Sequence, residues 1–291
     1  RSTLAASKGQ TATVDPIIGK LLADIRATTV GKENNVQQLS DPSLQQFSYL
    51  SPAKDHHIYP TLRLDFNLTS KHHLEYIGNV QQWRRFLDNV NSADPRFPGF
   101  PNYGDTTSTR FSHSAAVRST LTQTLVNEAR VGLTGGKLRF YSNIAREDFT
   151  GPLANQGGFN LQISAAGVTN PTFSSAPSER NSPIWTFADN LTWQRGAHNL
   201  GFGATFTRVT SYQNDKTTVP TINFGVDTTN DPARVLFDAT NAPVNFPGAS
   251  TTDITNARNI YAVLTGRVTQ IGGTAWLDEK TGKYVYNVDN I

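Results

Sequence analysis

The chain has 291 residues, a formal net charge of +3, a hydrophobic fraction of 37% and a mean hydropathy of −0.42. No stretch approaches the ~18 uninterrupted apolar residues of a membrane helix, which excludes a helical membrane protein. It leaves a membrane barrel open, because lumen-facing residues dilute the hydropathy of each strand.

Neither cysteine nor methionine occurs, so disulfide frameworks and cysteine zinc sites are excluded. No basic run with interleaved aromatics points to nucleic acid. The start, Arg1-Ser2-Thr3, lacks the charged and apolar regions of a signal peptide. The expectation is a processed product or a piece of something longer.

In chain order, "VDPIIGKLLADIRATT" comes first. It places Asp15 at a helix N-cap and Pro16 at the first helical position. Ile17, Ile18, Leu21, Leu22 and Ile25 then recur at helical spacing, which predicts one short amphipathic helix over about 16–27.

From Thr61 onward the chain reads as β. In "PTLRLDFNLTSKHHLEYIGNV", Leu62, Leu64, Phe66 and Leu68 alternate with Arg63, Asp65 and Asn67. The pattern predicts strands at 61–69 and 73–83 around a tight polar turn. Further strands are expected at about 109–121, 124–134, 184–194, 199–212 and 259–271, with a hairpin in 274–288 turning at Thr281-Gly282. In 124–134 the apolar residues share one face, with Glu128 and Arg130 on the other. In 199–212, Leu200, Phe202, Ala204 and Phe206 line one face. Asp189 breaks the pattern, since it shares parity with Leu191 and Trp193.

Alternation alone leaves two readings open: a soluble sandwich with the apolar face inward, or a membrane barrel with it outward. The connections decide between them. Those after 69, 121 and 194 are about four residues or fewer, whereas those after 83, 141 and 212 are roughly 25 to 45 residues. Structureless loops beyond about 15 residues are uncommon in compact soluble domains. Short turns on one rim and long loops on the other describe an outer-membrane barrel. The expected fold is therefore all-β: an antiparallel transmembrane barrel portion, an incomplete curved sheet of about eight to ten strands with long extracellular loops. Residues 1–58 are expected to form an extracellular loop and helical segment, and 59–291 part of the barrel. Lipid-facing positions are Leu62, Leu64, Phe66, Leu68, Leu200, Phe202 and Phe206. Lumen-facing positions are Arg63, Asp65, Asn67, Glu75, Glu128 and Arg130.

The segments "YPTLRLDFNLTSKHHLEYIGN", "ADPRFPGFPNYG", "STLTQTLVNEARVGLTGG", "FADNLTWQRGAHNLGFGATFTR" and "NIYAVLTGRV" with "TGKYVY" follow one another. Their order resembles that in Oar-like TonB-dependent outer-membrane receptors, which carry a carboxypeptidase-regulatory-like domain before plug and barrel. The resemblance spans about 45–288. It implies a 22-stranded barrel with a plug, energised uptake of a large ligand, and the outer membrane of a Gram-negative-type bacterium. The implied partners are outer-membrane lipid, the plug domain and TonB system of the full-length parent, and an extracellular ligand such as an oligosaccharide, peptide or chelate. No plug motif, energy-coupling segment or terminal aromatic strand is found, so the chain reads as an internal barrel fragment. A soluble β-rich carbohydrate-binding or adhesion module and a passive porin are the alternatives.

No catalytic, cofactor or metal site is expected. His56-His57 and His72-His73 are neighbours, which point to opposite faces on a strand. Asp278-Glu279 reads as a hairpin end, and "GFGATF" lacks the third glycine of a dinucleotide loop. The sequons at Asn67 and Asn190 read as accidents within strands. In "DPRFPGFPNYGD", Phe97, Phe100 and Tyr103 alternate with stiffening Pro and Gly, which makes them candidate substrate-contact residues.

Overall fold

The computed structural model describes the chain except residues 1, 33–34, 101, 103, 141–158, 173–177, 216–219, 274–275, 279 and 286–291. Two helices open it, α1 (Ser2–Ser7) and α2 (Pro16–Thr29). The start of α2 is where the cap residues place it. The Asp15 carboxylate accepts from the Ile17 and Ile18 N–H groups at 2.9 and 3.1 Å, and Pro16 follows. A small hairpin, β1 (Val36–Gln38) and β2 (Gln45–Phe47), comes next.

The wall then begins with β3 (Lys54–Ile58), β4 (Thr61–Asn67), β5 (His72–Phe86), β6 (Thr106–Thr122) and β7 (Leu125–Phe140). After β8 (Asn160–Gln162) it continues with β9 (Ser178–Asn181), β10 (Ile184–Arg195), β11 (His198–Val209) and β12 (Tyr212–Asp215). The remaining elements are β13 (Thr221–Phe224), α3 (Ala242–Asn245), α4 (Thr251–Leu264), β14 (Val268–Gly272), β15 (Trp276–Asp278) and β16 (Lys283–Val285).

Nine of these strands form one antiparallel sheet. Both β3 and β4 pair with β5, β9 and β10 both pair with β7, and β12 pairs with β9 as β11 pairs with β10. Each of those couples is one long strand broken in the middle. The sheet is therefore a meander of six long strands, joined on one side by the turns at 68–71, 123–124 and 196–197. It is open: among the described residues, no further strand pairs with β3 and β4 at one edge or β11 and β12 at the other.

The interruptions line up. Tyr59-Pro60 lies opposite Val80 and Gln81, which pair with Phe111 and Arg110. Those two pair with Gly135 and Gly136, which face Ser182-Pro183, and these face Thr210-Ser211. One crease thus crosses all six strands. Backbone bonds still bridge it: Val80 N–H donates to Pro60 O at 3.1 Å and Thr210 N–H to Pro183 O at 3.0 Å. The cause is local. Pro60 and Pro183 lack the N–H a ladder needs. At Gly136 a Cβ would lie 2.5 Å from Thr109 O and 2.7 Å from Arg110 Cα. At Gly135 it would lie 2.7 Å from Ser182 O. Only residues without a Cβ let the backbones come this close.

Beyond the crease, the described parts of the long connections are folded rather than structureless. Ile18, Leu21, Ile25, Leu161, Ile163 and Val263 form one buried cluster, and Ala5, Val226, Ala233, Leu236 and Ala262 a second. The strands β14, β13 and β8 make a small sheet beside α4. This cap supplies most of the buried apolar residues; the wall contributes only Ala116 and Leu138. Wall and cap are tied at Asp88, fully buried, which accepts from Thr106 Oγ1 and Asn91 Nδ2 and lies 3.8 Å from Arg85.

The expected strand over 259–271 is corrected. Residues 251–264 form α4, and only 268–272 is extended. Ser250 and Asp253 make a reciprocal capping box, which fixes the helix start. Ala257, Ala262 and Val263 are its buried face. The hairpin turning near Thr281-Gly282 is present as β15 and β16.

A two-faced wall as the candidate functional site

Between the crease and the short turns, strand pairing sorts the side chains into two unlike faces. One face carries charge. Asn67, His73, Arg118, Glu128 and Asn190 share a row, and Asp65, Glu75, Ala116 and Arg130 share the next. Arg63 bonds Asp65 at 2.8 Å and Glu75 at 2.9 Å. Arg130 lies 4.0 Å from Glu75 and 3.1 Å from Glu128. His73 Nδ1 donates to Asn67 Oδ1 at 2.9 Å, and its other ring nitrogen is 3.6 Å from Asp65. All six positions expected to face a lumen thus lie on one surface, and Arg63, Glu75, Arg130 and Glu128 form a ladder of alternating sign across it.

The other face is apolar. Its rows run Leu64–Tyr76–Ala115–Val131–Phe187–Phe206 and Phe66–Leu74–Val117–Ala129–Asp189–Ala204. Leu62, Phe66, Phe202 and Phe206 are 52%, 51%, 56% and 63% exposed. Neither cap nor second sheet covers them, so they form no interior core. The seven positions expected to face lipid are all on this surface or, for Leu68, just past the end of β4. Trp185 and Trp193 bracket the face along β10, eight residues and ~26 Å apart along the strand. Tilted, that spans most of the ~25 Å apolar band of a barrel. Arg195 lies over the Trp193 ring, 5.3 Å from its centroid, at the end of β10.

Asp189 is the exception that the sequence exposed and the structure retains. It sits mid-face beside Ala129 and Ala204, and Asn127 Nδ2 donates to it at 2.7 Å.

The remaining candidates are placed as follows. Phe97 and Phe100 meet edge to face at 5.9 Å and pack half-buried against the cluster around Ile18. Tyr103 lies outside the described residues. His56 and His57 point apart on β3, and His72 bonds Ser119 Oγ at 2.8 Å. Among the described residues no group of three metal-binding side chains gathers. No described helix is long and apolar enough to cross a membrane.

A family model for an outer membrane beta barrel domain matches residues 2–274. The chain belongs to that family. The exposed apolar face and the alternation of short turns with long connections are what such a domain needs, and the barrel protein resides in the outer membrane. No curated protein sequence matches the chain. Within this outer-membrane barrel domain the crease separates two unlike parts. Below it the sheet is apolar on one side, and above it folded loops carry a water-type core.

Sequence reasoning missed the cap. Its apolar residues are scattered over stretches near 18–25, 161–163, 226–236 and 257–263, and no single segment looks like a domain.

Proposed function

We propose that this barrel is part of a TonB-dependent receptor of the Oar-like kind, taking up a large ligand through a plugged lumen. In this reading the apolar face meets lipid and the charge ladder of Arg63, Glu75, Arg130 and Glu128 lines the wet interior. The short turns face the periplasm. Residues 1–53, ahead of β3, and the described connections form an extracellular cap, and the half-exposed edges of Phe97 and Phe100 contact ligand. The chain itself catalyses nothing; a plug and the TonB system of the parent supply energy.

The observation that supports it is the asymmetry across the crease: tight turns on one side, and on the other a cap large enough to hold its own cores. A passive pore needs no such cap.

Two measurements test it. The chain has no cysteine, so single-cysteine variants report cleanly. In intact cells a membrane-impermeant maleimide should label Val90→Cys in the cap and spare Ser70→Cys in a turn until the outer membrane is permeabilised. The reverse pattern overturns the orientation. Ligand uptake should stop when an uncoupler collapses the proton-motive force; uptake that continues identifies a passive porin.

A further inference from the structure

One concave site in the cap combines charge with an apolar floor. A cleft of about 610 Å³ lies between α2, the β1–β2 hairpin and the loop that carries Phe97. That volume is within the ~300–1,000 Å³ of small-ligand sites. Its floor is the outer side of the Ile18 cluster, with Leu22 and Phe97 in it. Leu39 and Leu44, 37% and 40% exposed, stand at the hairpin end. Two guanidiniums, Arg26 and Arg96, lie on its walls, and no described carboxylate lines it.

The acids on α2 and on the hairpin are occupied elsewhere. Asp24 is paired with Lys20 at 2.8 Å on α2. Asp41 is turned into its own hairpin, accepting from Ser43 N–H at 2.8 Å and Ser43 Oγ at 2.6 Å. Among the described residues no carboxylate pairs with the exposed Arg26. The walls are also braced. Tyr49 stacks on Phe47 at 5.8 Å and donates its hydroxyl to Pro95 O, joining the hairpin base to the loop of Arg96 and Phe97.

We infer that this cleft binds an anionic amphiphile, a carboxylate on an apolar body. Resting on the extracellular placement of the cap, this names the ligand class of the proposed receptor. The Arg26 guanidinium offers planar, paired donors that match a carboxylate. The leucines and Phe97 take the apolar part. A neutral sugar would leave Arg26 without an anion and most of the floor without apolar cover.

The test uses the full chain in lipid nanodiscs and three probes of one shape: 4-phenylbutyrate, 4-phenylbutan-1-ol and 4-phenylbutylamine. Lipid takes up the alcohol more readily than the acid, so a preference for the acid cannot come from the disc. Binding read by saturation-transfer NMR should favour the acid over the alcohol by at least about tenfold, with the amine weakest. Arg26→Gln should weaken the acid by about tenfold and leave the alcohol unchanged; Arg26→Glu should reverse the acid–amine order. Leu44→Gln should weaken acid and alcohol alike. Equal binding of acid and alcohol, or indifference to both Arg26 variants, overturns the inference. Ser43→Cys, labelled on intact cells, separates the two readings. A labelled but unselective cleft rejects the ligand class alone, whereas an unlabelled one rejects the extracellular cap and the inference with it.

Discussion

Asn127 on β7 and Asp189 on β10 are joined across neighbouring strands by a 2.7 Å hydrogen bond on the apolar face of the wall. The amide is the donor and the carboxylate the acceptor. Alanines at 129 and 204 flank the acid, so no neighbour on its row supplies a cation.

A carboxylate facing lipid is costly, and one donor offsets part of the cost. Asn127→Leu should therefore lower stability by about 1–2 kcal/mol, since it strips the donor and keeps the charge. Asp189→Leu should raise it by about 1–2 kcal/mol, the depth-dependent charge term being smaller for acids than for Lys or Arg. Urea unfolding in phospholipid vesicles measures both. Loss of stability in Asp189→Leu would place that face against something other than lipid.

The crease predicts a contrast between two glycines. Gly136→Ala drives a Cβ into the Thr109 carbonyl and the Arg110 backbone, neither of which can move aside alone. A loss on the order of 2–3 kcal/mol is expected from strain at that position. Gly201 on β11 has open space around the same added atom, so Gly201→Ala should stay within about 0.5 kcal/mol of the parent. Folded yield by heat-modifiable gel mobility, with urea midpoints, ranks the two.

On the charged face, Glu75 stands between two guanidiniums. These groups are partly exposed, so their pairing is worth little in water. The coupling energy of Arg63→Gln with Glu75→Gln should be below about 1 kcal/mol at low salt and fade toward zero near 1 M salt. A coupling that ignores salt would mean the face is dry, contrary to a water-filled lumen.

The cap should respond to acid through α4. Ser250 donates to Asp253 from its hydroxyl and its N–H, and these bonds hold the carboxyl below the usual carboxylate range. A group with a lowered folded pKa adds stability that is fully present above its unfolded value and lost as pH falls through the folded one. Proteolysis within 251–264 should therefore be slow at neutral pH and quicken below about pH 4. Asp253→Asn should nick faster at neutral pH and show a flatter pH response. An unchanged profile in that variant would remove the capping box from the account.

Much of the wall was legible in the chain because its signal is local. Leu62 to Leu68 and Leu200 to Phe206 alternate strictly, and the brevity of the turn after 69 against the length after 83 pointed to a barrel wall rather than a soluble sandwich. The helix at 16–29 announced itself through Asp15 and Pro16. The helix at 251–264 did not, because Ile260, Ala262 and Leu264 also fit a period of two. The decisive signal was Ser250 with Asp253 three residues on, a helix start ahead of the apolar run. The crease was visible only as separate prolines and glycines. That Pro60, Gly136 and Pro183 lie on one line follows from strand pairing, which no single segment encodes. The clefts and cores of the cap are of the same kind, made from residues more than a hundred positions apart.

The cap also carries a kinetic order. Tyr261 donates to Thr11 O at 2.8 Å, and Arg267 reaches Gln10 at 3.3 Å, contacts that close about 250 residues of chain. Joining ends so far apart in an unfolded chain is slow and entropically unfavourable. Once the six-strand meander has formed, its two edges are held about 24 Å apart, five strand spacings, and the remaining search is short. The segments ahead of β3 and after β12 should therefore dock late, and protection of α1 from exchange would serve as a clock for completion of the wall.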